Sequence, residues 1–319
     1  MRALRSNGLW LAVFTLCALL LVWTEDWPKF ARGLGVALIP GAIWVCFVLS
    51  LNRGPGLPAQ YLVKSMLWGG IVATFLASKI NLLTYVEVIR ISRNSGLFDG
   101  ETPENLGYLA GLVVSAPVGE EGLKGLIVVM LLGNAARPVT GVWQGVLLGS
   151  LSAICFGLTE NAFQFSSPTA GPDGSGFMKL LWSPRLASPM MHALFTLPLA
   201  AMAGWAALLP TLSQRVAAIT AGWAVSSILH GACNWFFFFS NSNEVDWAWA
   251  TAVAIPVLPT LLFWVRNLER RSLFRHGLTG SNVRSAERLR LASLRRLDQK
   301  LTPTPEEAAE RARLEATLC

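Results

Sequence analysis

Glu120, Glu121 and Lys124 stand inside an apolar run from about Leu106 to Leu132. That run is long enough to cross a bilayer, because about 20 apolar residues rising about 1.5 Å each span the hydrocarbon core. An ionisable side chain at that depth costs about 2.5–3.5 kcal/mol on the insertion scale, so it needs a partner, water or a task. Three more apolar runs carry polar groups: Phe156-Gly-Leu-Thr-Glu160-Asn161, His192-Ala-Leu-Phe-Thr196 and His230-Gly-Ala-Cys-Asn234. The chain has three histidines, and two of them are here. Helical spacing sorts the groups. Glu120 and Lys124, His192 and Thr196, and His230 and Asn234 are i,i+4 pairs that share a face. Glu121 is turned about 100° from Glu120, so the two need not face one site.

Carboxylate and imidazole together in a wet cavity suit the activation of water for hydrolysis. The carboxylate takes a proton, while imidazole or a metal polarises the water or the scissile carbonyl. Two histidines and a glutamate also match a common catalytic zinc set. Asn234 or a histidine could donate to an oxyanion. No Gly-x-Ser-x-Gly or His-Glu-x-x-His motif occurs. Gly119, Gly122, Gly125, Gly231 and Ala232 permit close helix approach. Pro117 and Pro189 loosen the helix beside the motifs. Taken singly, each group has a structural alternative: an ion pair for Glu120 and Lys124, snorkelling for Glu160, packing for a histidine and for Phe156. Four such motifs at one depth point to a site.

Eight apolar segments must position these groups. They are an N-terminal run ending near Trp23 and runs at about 33–51, 65–86, 106–132, 140–165, 185–208, 215–239 and 247–265. Of 319 residues, 53% are hydrophobic and 14% charged, where a soluble domain carries roughly 25% charge. The fold expected is therefore all-α: a polytopic membrane protein with about eight transmembrane helices. Residues 1–265 form the membrane domain, with the motif core at 106–239, and 266–319 form a basic cytoplasmic tail. In the tail, a helical pattern from about Asn282 and the start signal Thr304-Pro-Glu-Glu307 predict two short helices. Lys64, Lys79 and Asn81 interrupt the third run. Thr24-Glu-Asp-Trp-Pro-Lys29 offers no cleavage pattern after the first run, so that run reads as an uncleaved helix. Cys17, Cys46, Cys155, Cys233 and Cys319 lack metal-type spacing and read as small buried side chains.

The net charge is +7, and the tail from Arg266 supplies +5 of it, as 12 Lys+Arg against 7 Asp+Glu. Basic charge beside a last membrane helix marks the cytoplasmic side, not a nucleic-acid partner. Eight spans put both termini on one side, and Arg2, Arg5 and the tail make that side cytoplasmic. Loop charge does not decide it, since Lys29, Arg32, Arg90, Arg93 and Lys179 fall in the opposite loops. Trp27, Trp182, Trp247 and Trp249 fit an outer aromatic belt, and Trp10 and Trp264 an inner one. In that orientation Glu120 lies about 20 Å, His192 about 10 Å, Glu160 about 8 Å and His230 about 14 Å below the outer ends of their spans. All four fall between the midplane and the outer surface.

Glu-Glu-x-x-Lys, Phe-x-x-x-Glu-Asn, His-x-x-Phe and His-x-x-x-Asn on successive membrane helices resemble the PrsW family of intramembrane proteases. The resemblance covers about Leu106 to Phe239. It implies kinship with the type II CAAX prenyl endopeptidases and bacteriocin-processing proteins, and glutamate-dependent hydrolysis. It further implies a bacterial cell membrane and a membrane-anchored anti-sigma factor as substrate, cut to release a stress response. By position, Glu120 and Glu121 would be the essential pair, with Glu160, His192, His230 and Asn234 completing the site. Glu120, Glu121 and Asn234 are thus expected as catalytic, and Glu160, His192 and His230 as holding a metal, with zinc the candidate. Lys124 and Glu160 stand where the CAAX branch has arginine and histidine, which puts prenyl-protein substrates in doubt. The partners expected are a membrane-anchored protein and the lipid bilayer. A proton-coupled transporter using the same groups as a relay is the alternative, but no inverted repeat is visible. A non-catalytic membrane scaffold is another.

The orientation is testable by cysteine labelling at Asn94 and Thr302. Asn94→Cys should react only from outside the cell and Thr302→Cys only from the cytoplasm. The opposite pattern would reverse every depth given above.

Overall fold

The structure is a computed structural model, and it describes residues 2–23, 27–52, 57–95, 102–132, 139–166, 188–239 and 255–268, with 306 and 309. All regular structure among them is helical. In chain order come α1 (Arg2–Trp23), α2 (Trp27–Ser50), α3 (Ala59–Leu67), a π turn (Trp68–Ala73) and α4 (Thr74–Ser95). There follow α5 (Pro103–Leu109), a second π turn (Ala110–Ser115), α6 (Ala116–Leu132) and α7 (Val142–Ser166). Last are α8 (Ser188–Ala206) and α9 (Leu212–Phe239), with α10 (Ile255–Leu268). The α5 start follows its sequence: Thr102 Oγ1 accepts from the Asn105 N–H at 3.2 Å and Pro103 opens the first turn.

Among the described residues four helices are long and apolar enough to cross a membrane: Pro28–Ser50, Ala59–Ser95, Val142–Ser166 and Leu212–Phe236. Trp10–Leu20 and Ile255–Leu268 are shorter apolar helices. The sequence predicts eight spans. α6 and α8 are not among the four, because their polar groups lower their hydropathy, whereas α7 and α9, which carry Glu160, His230 and Asn234, are. α6 holds Glu120, Glu121 and Lys124 in 17 residues, and α8 holds His192 in 19. Outward faces are apolar, as lipid requires: Leu83 and Ile228 are each 68% exposed.

Lys64, Lys79 and Asn81 do not end the third run. It is one apolar helix of 37 residues, Ala59–Ser95, that absorbs them. The Lys64 ammonium lies 5.6 Å over the Trp10 ring, Lys79 lies 5.6 Å over Phe75, and Asn81 reaches Glu120. Each polar group has found a partner, which is the condition for keeping it at depth. Among the cysteines, Cys155 is buried, Cys17 and Cys233 are half-buried, and Cys46 is exposed, so burial as expected holds only for the first. Lys179, Trp182, Trp247, Trp249, Cys319 and the tail helices, apart from Glu306 and Ala309, lie outside the described residues.

α7 is the centre. Of its apolar span 83% is buried, against 28–33% for the other three candidate spans. α8, α2 and the first π turn pack on it. The approach is at backbone distance. A Cβ on Gly69 would sit 1.8 Å from the Ser152 carbonyl oxygen, and one on Gly145 would sit 2.3 Å from that of Ala200. Without a hydrophobic drive between helices in lipid, such close packing and interhelical hydrogen bonds hold the bundle. Ser65 Oγ donates to the Leu148 carbonyl at 2.5 Å, Ser152 Oγ to that of Lys124 at 2.9 Å, and Trp68 Nε1 to that of Leu123 at 2.8 Å. The last two fix α6 at the level of its charges.

Gly69 and Gly35 separate packing from propensity. In a helix Gly→Ala gains up to about 1 kcal/mol, whereas overpacking loses about 1–3 kcal/mol or more. Gly69→Ala should lower the unfolding midpoint of the purified protein in detergent, and Gly35→Ala, with nothing within 4 Å of the added Cβ, should hold or raise it. A stable Gly69→Ala protein would contradict the crossing described here.

Candidate active site

Glu121 is the most enclosed of the charged groups. Its side chain and that of Lys124 are both 0% exposed, and Lys124 Nζ lies 2.6 Å from Glu121 Oε1. His230 Nδ1 lies 2.8 Å from the same oxygen. Thr196 Oγ1 donates to Oε2 at 2.6 Å. Donors from α6, α8 and α9 thus engage both oxygens. A carboxylate held this way fixes three helices and is poorly placed to accept a further proton.

Glu120 is held differently. Its Oε1 accepts from Asn81 Nδ2 on α4 at 3.2 Å. Its Oε2 has no hydrogen-bond partner and stands 3.6 Å from Lys124 Nζ. Of the two adjacent carboxylates, Glu120 therefore keeps the free lone pairs.

The imidazoles are oriented by their neighbours. Lys124 Nζ is 3.1 Å from His192 Nδ1. An ammonium has no acceptor, so Nδ1 accepts, and the ring proton sits on Nε2, 2.7 Å from Glu160 Oε2. Lys124 Nζ also lies 4.7 Å over the Phe156 ring, which faces His192 at 5.3 Å between centroids. Phe156, read from sequence as packing, is buried and walls the ammonium. His230 donates from Nδ1 to Glu121 and keeps its Nε2 lone pair. Phe195 stacks on its ring at 4.8 Å and 10°.

Glu120, His192 and His230 each offer one ligand atom, and these atoms lie within 4.8 Å of one another. The metal set expected from sequence has Glu160 in place of Glu120. In the structure Glu160 stands behind His192, on its Nε2, with a side chain 32% exposed. That is the place of a carboxylate that orients a metal-binding histidine. The donor set fits a divalent ion on two grounds. Glu120 Oε2 is a buried oxygen without a hydrogen-bond donor. Glu120, Glu121 and Glu160 against Lys124 leave a net charge of −2 when both imidazoles are neutral, and unbalanced charge at such a site is costly. His192 would exchange its Lys124 donor for the ion.

Asn234, expected as a catalytic donor, has a backbone partner in the structure. Its Nδ2 donates to the Leu112 carbonyl at 2.7 Å. Pro117 has no N–H, and in the i→i−5 register of the π turn Ala110–Ser115 its partner would be that carbonyl. Asn234 supplies the missing donor and ties α9 to the turn, as Trp223 Nε1 does to the Val118 carbonyl at 2.9 Å. The structure thus brings Glu120, Glu121, Glu160, His192 and His230 into one contact network and gives the Asn234 amide a backbone partner. Lys124 and Thr196 are central to the network but absent from the expected site. Their signal was in the sequence, as the i+4 partners of Glu120 and His192. Asn81 gave no signal beyond its polarity.

A family model, PrsW family intramembrane metalloprotease, matches residues 57–264. No curated protein and no solved structure matches the chain.

The contrast between the two glutamates predicts a split. Glu121→Ala leaves Lys124 and His230 buried without their partner and should lose about 3–5 kcal/mol of stability. Glu120→Gln should leave the unfolding midpoint near wild type. Equal stability of both variants would contradict the anchoring role of Glu121.

Proposed function

The chain belongs to the PrsW family of intramembrane metalloproteases, and from that premise we propose that it hydrolyses a peptide bond in a membrane-anchored protein, with Glu120 as the proton acceptor. The observation that carries this reading is the asymmetry of the glutamate pair: Oε2 of Glu120 lacks a hydrogen-bond partner beside two imidazoles, while Glu121 is engaged on both oxygens. Glu120 takes a proton from the attacking water and returns it to the leaving amine. Lys124, anchored by Glu121, keeps positive charge beside the developing negative charge. Glu160 holds His192 by its Nε2, and Glu121 holds His230 by its Nδ1, so each ring keeps one orientation. A divalent ion held by His192 and His230 beside Glu120 would supply Lewis-acid polarisation at this cluster. Zinc suits a set of two histidines and one glutamate.

The substrate in this proposal is a single-pass anti-sigma-factor-like protein, and the cut begins a regulated release. The motif resemblance supports that class. The bond cut lies near the outer end of the substrate's helix, given cytoplasmic termini and a site in the outer half of eight spans; the depth arithmetic from sequence supports this. Peptide bonds in an intact helix are shielded, so the target is a frayed or Gly-rich segment beside the membrane.

The test is reconstitution with candidate single-pass anti-sigma factors, followed by sequencing of any fragment. Wild type should produce an outer-side cut, and Glu120→Gln should slow it by a factor of about 100 or more, the usual worth of a general base. Purified protein should carry near-stoichiometric zinc, and chelation should stop cleavage. Full activity in folded Glu120→Gln would remove it from the role, and full activity without metal would leave the imidazoles and Lys124 as the polarising groups.

A further inference from the structure

Three polar side chains lead to Glu120 from a side the motifs do not mark. Asn81 and Thr84 are i,i+3 on α4 and so share a face. Ser115 closes the second π turn. All three are half-buried. Thr84 Oγ1 and Ser115 Oγ are 3.0 Å apart, Ser115 Oγ donates to Asn81 Oδ1 at 3.0 Å, and Asn81 Nδ2 donates to Glu120 Oε1 at 3.2 Å.

The direction of this chain follows from proton counting. Ser115 has one hydroxyl proton, and it goes to Asn81 Oδ1. Thr84 must then be the donor in its contact with Ser115. Every proton points toward Glu120. With Oδ1 engaged by Ser115, the Asn81 amide presents its NH2 to the carboxylate. Turned over, it would set an oxygen against an oxygen. Hydrogen bonds in such a chain polarise one another, so the last donor is strengthened by those behind it.

We infer that Asn81, locked by Ser115 and Thr84, is a positioning residue that fixes the Glu120 carboxylate through Oε1 and so aims Oε2 at the reacting groups. This rests on the reading of Glu120 as the proton acceptor. It gives a task to a residue that sequence marked only as an interruption of an apolar run. It also explains why the two glutamates differ: α4 reaches Glu120 with one neutral donor, whereas Glu121 receives three donors from the other side. A single neutral donor orients a carboxylate and leaves its second oxygen available.

The test uses the full-length protein and a fluorogenic single-pass anti-sigma-factor reporter, with Asn81→Leu, Ser115→Ala, Thr84→Val, the Asn81→Leu/Ser115→Ala double variant and Glu120→Gln. Loss of an outer-shell partner typically lowers activity about 10–100-fold. Asn81→Leu should show that loss in kcat, with KM and the unfolding midpoint near wild type. Ser115→Ala and Thr84→Val should lose less. The double variant should be no slower than Asn81→Leu, because both act through one donor. Multiplying losses in the double variant, a loss carried by KM, or wild-type kcat in folded Asn81→Leu would each overturn the inference. Should Asn81→Leu not fold, wild-type kcat in Ser115→Ala would overturn it instead. Inactive Glu120→Gln beside fully active Asn81→Leu removes only the ladder, whereas active Glu120→Gln removes the assignment of Glu120 itself.

Discussion

Charge without water is the constraint on which this structure turns. Lys124 is fully buried, and it meets Glu121 at 2.6 Å, His192 at 3.1 Å and Glu120 at 3.6 Å. Each contact offsets part of the desolvation of the others, and none is adequate alone. The ammonium therefore dictates where four helices must sit. α6 carries it, α8 brings His192, α7 lays Phe156 over it, and α9 joins through His230 on the ammonium's partner Glu121. The same demand forces α7 to the centre of the bundle and glycines onto the crossings, since backbone-close packing keeps lipid from such a cluster.

The second device is the side-chain donor set on a backbone carbonyl. Pro117, second residue of α6, leaves the Leu112 carbonyl of the preceding π turn without its backbone donor. Asn234 and Trp223 on α9 supply donors to Leu112 and Val118, and Trp68 and Ser152 do so for Leu123 and Lys124. An irregular backbone at membrane depth is tolerated only when protein covers it in this way. On the regular turns of α6 that follow, Glu120 and Glu121 lie about 100° apart, so one meets α4 and the other α8 and α9.

Much of this was legible because polar residues in apolar runs are few. Glu120, Glu121, Glu160, His192 and His230 stood out by depth alone, and i+4 spacing pointed at Lys124 and Thr196. What sequence did not carry was the sense of each contact. Nothing in Phe156-Gly-Leu-Thr-Glu160 says that its carboxylate would stand behind His192 while Glu120 converges on both imidazoles. Nothing in His230-Gly-Ala-Cys-Asn234 says that the amide would donate to a backbone carbonyl 122 residues away. Asn81 looked like a defect in a span because the partner that makes it useful lies 39 residues on. The number of spans was legible only in part for a related reason: polar groups in α6 and α8 lower the hydropathy of those two helices, while α7 and α9 stay apolar around Glu160 and His230.

The spacing of Glu121's partners along the chain also sets an order of events during synthesis. Lys124 is three residues away, Thr196 is 75 and His230 is 109. At about 5–20 residues per second, a ribosome makes His230 about 5–20 s after Glu121. Until Thr196 is made, the carboxylate entering the bilayer has the ammonium one turn ahead of it on the same helix as its companion. The Glu121–Lys124 pair is thus a built-in escort. It offsets one of the segment's two carboxylates for membrane entry first, and becomes the anchor of the cluster only when the later helices arrive to claim the remaining lone pairs.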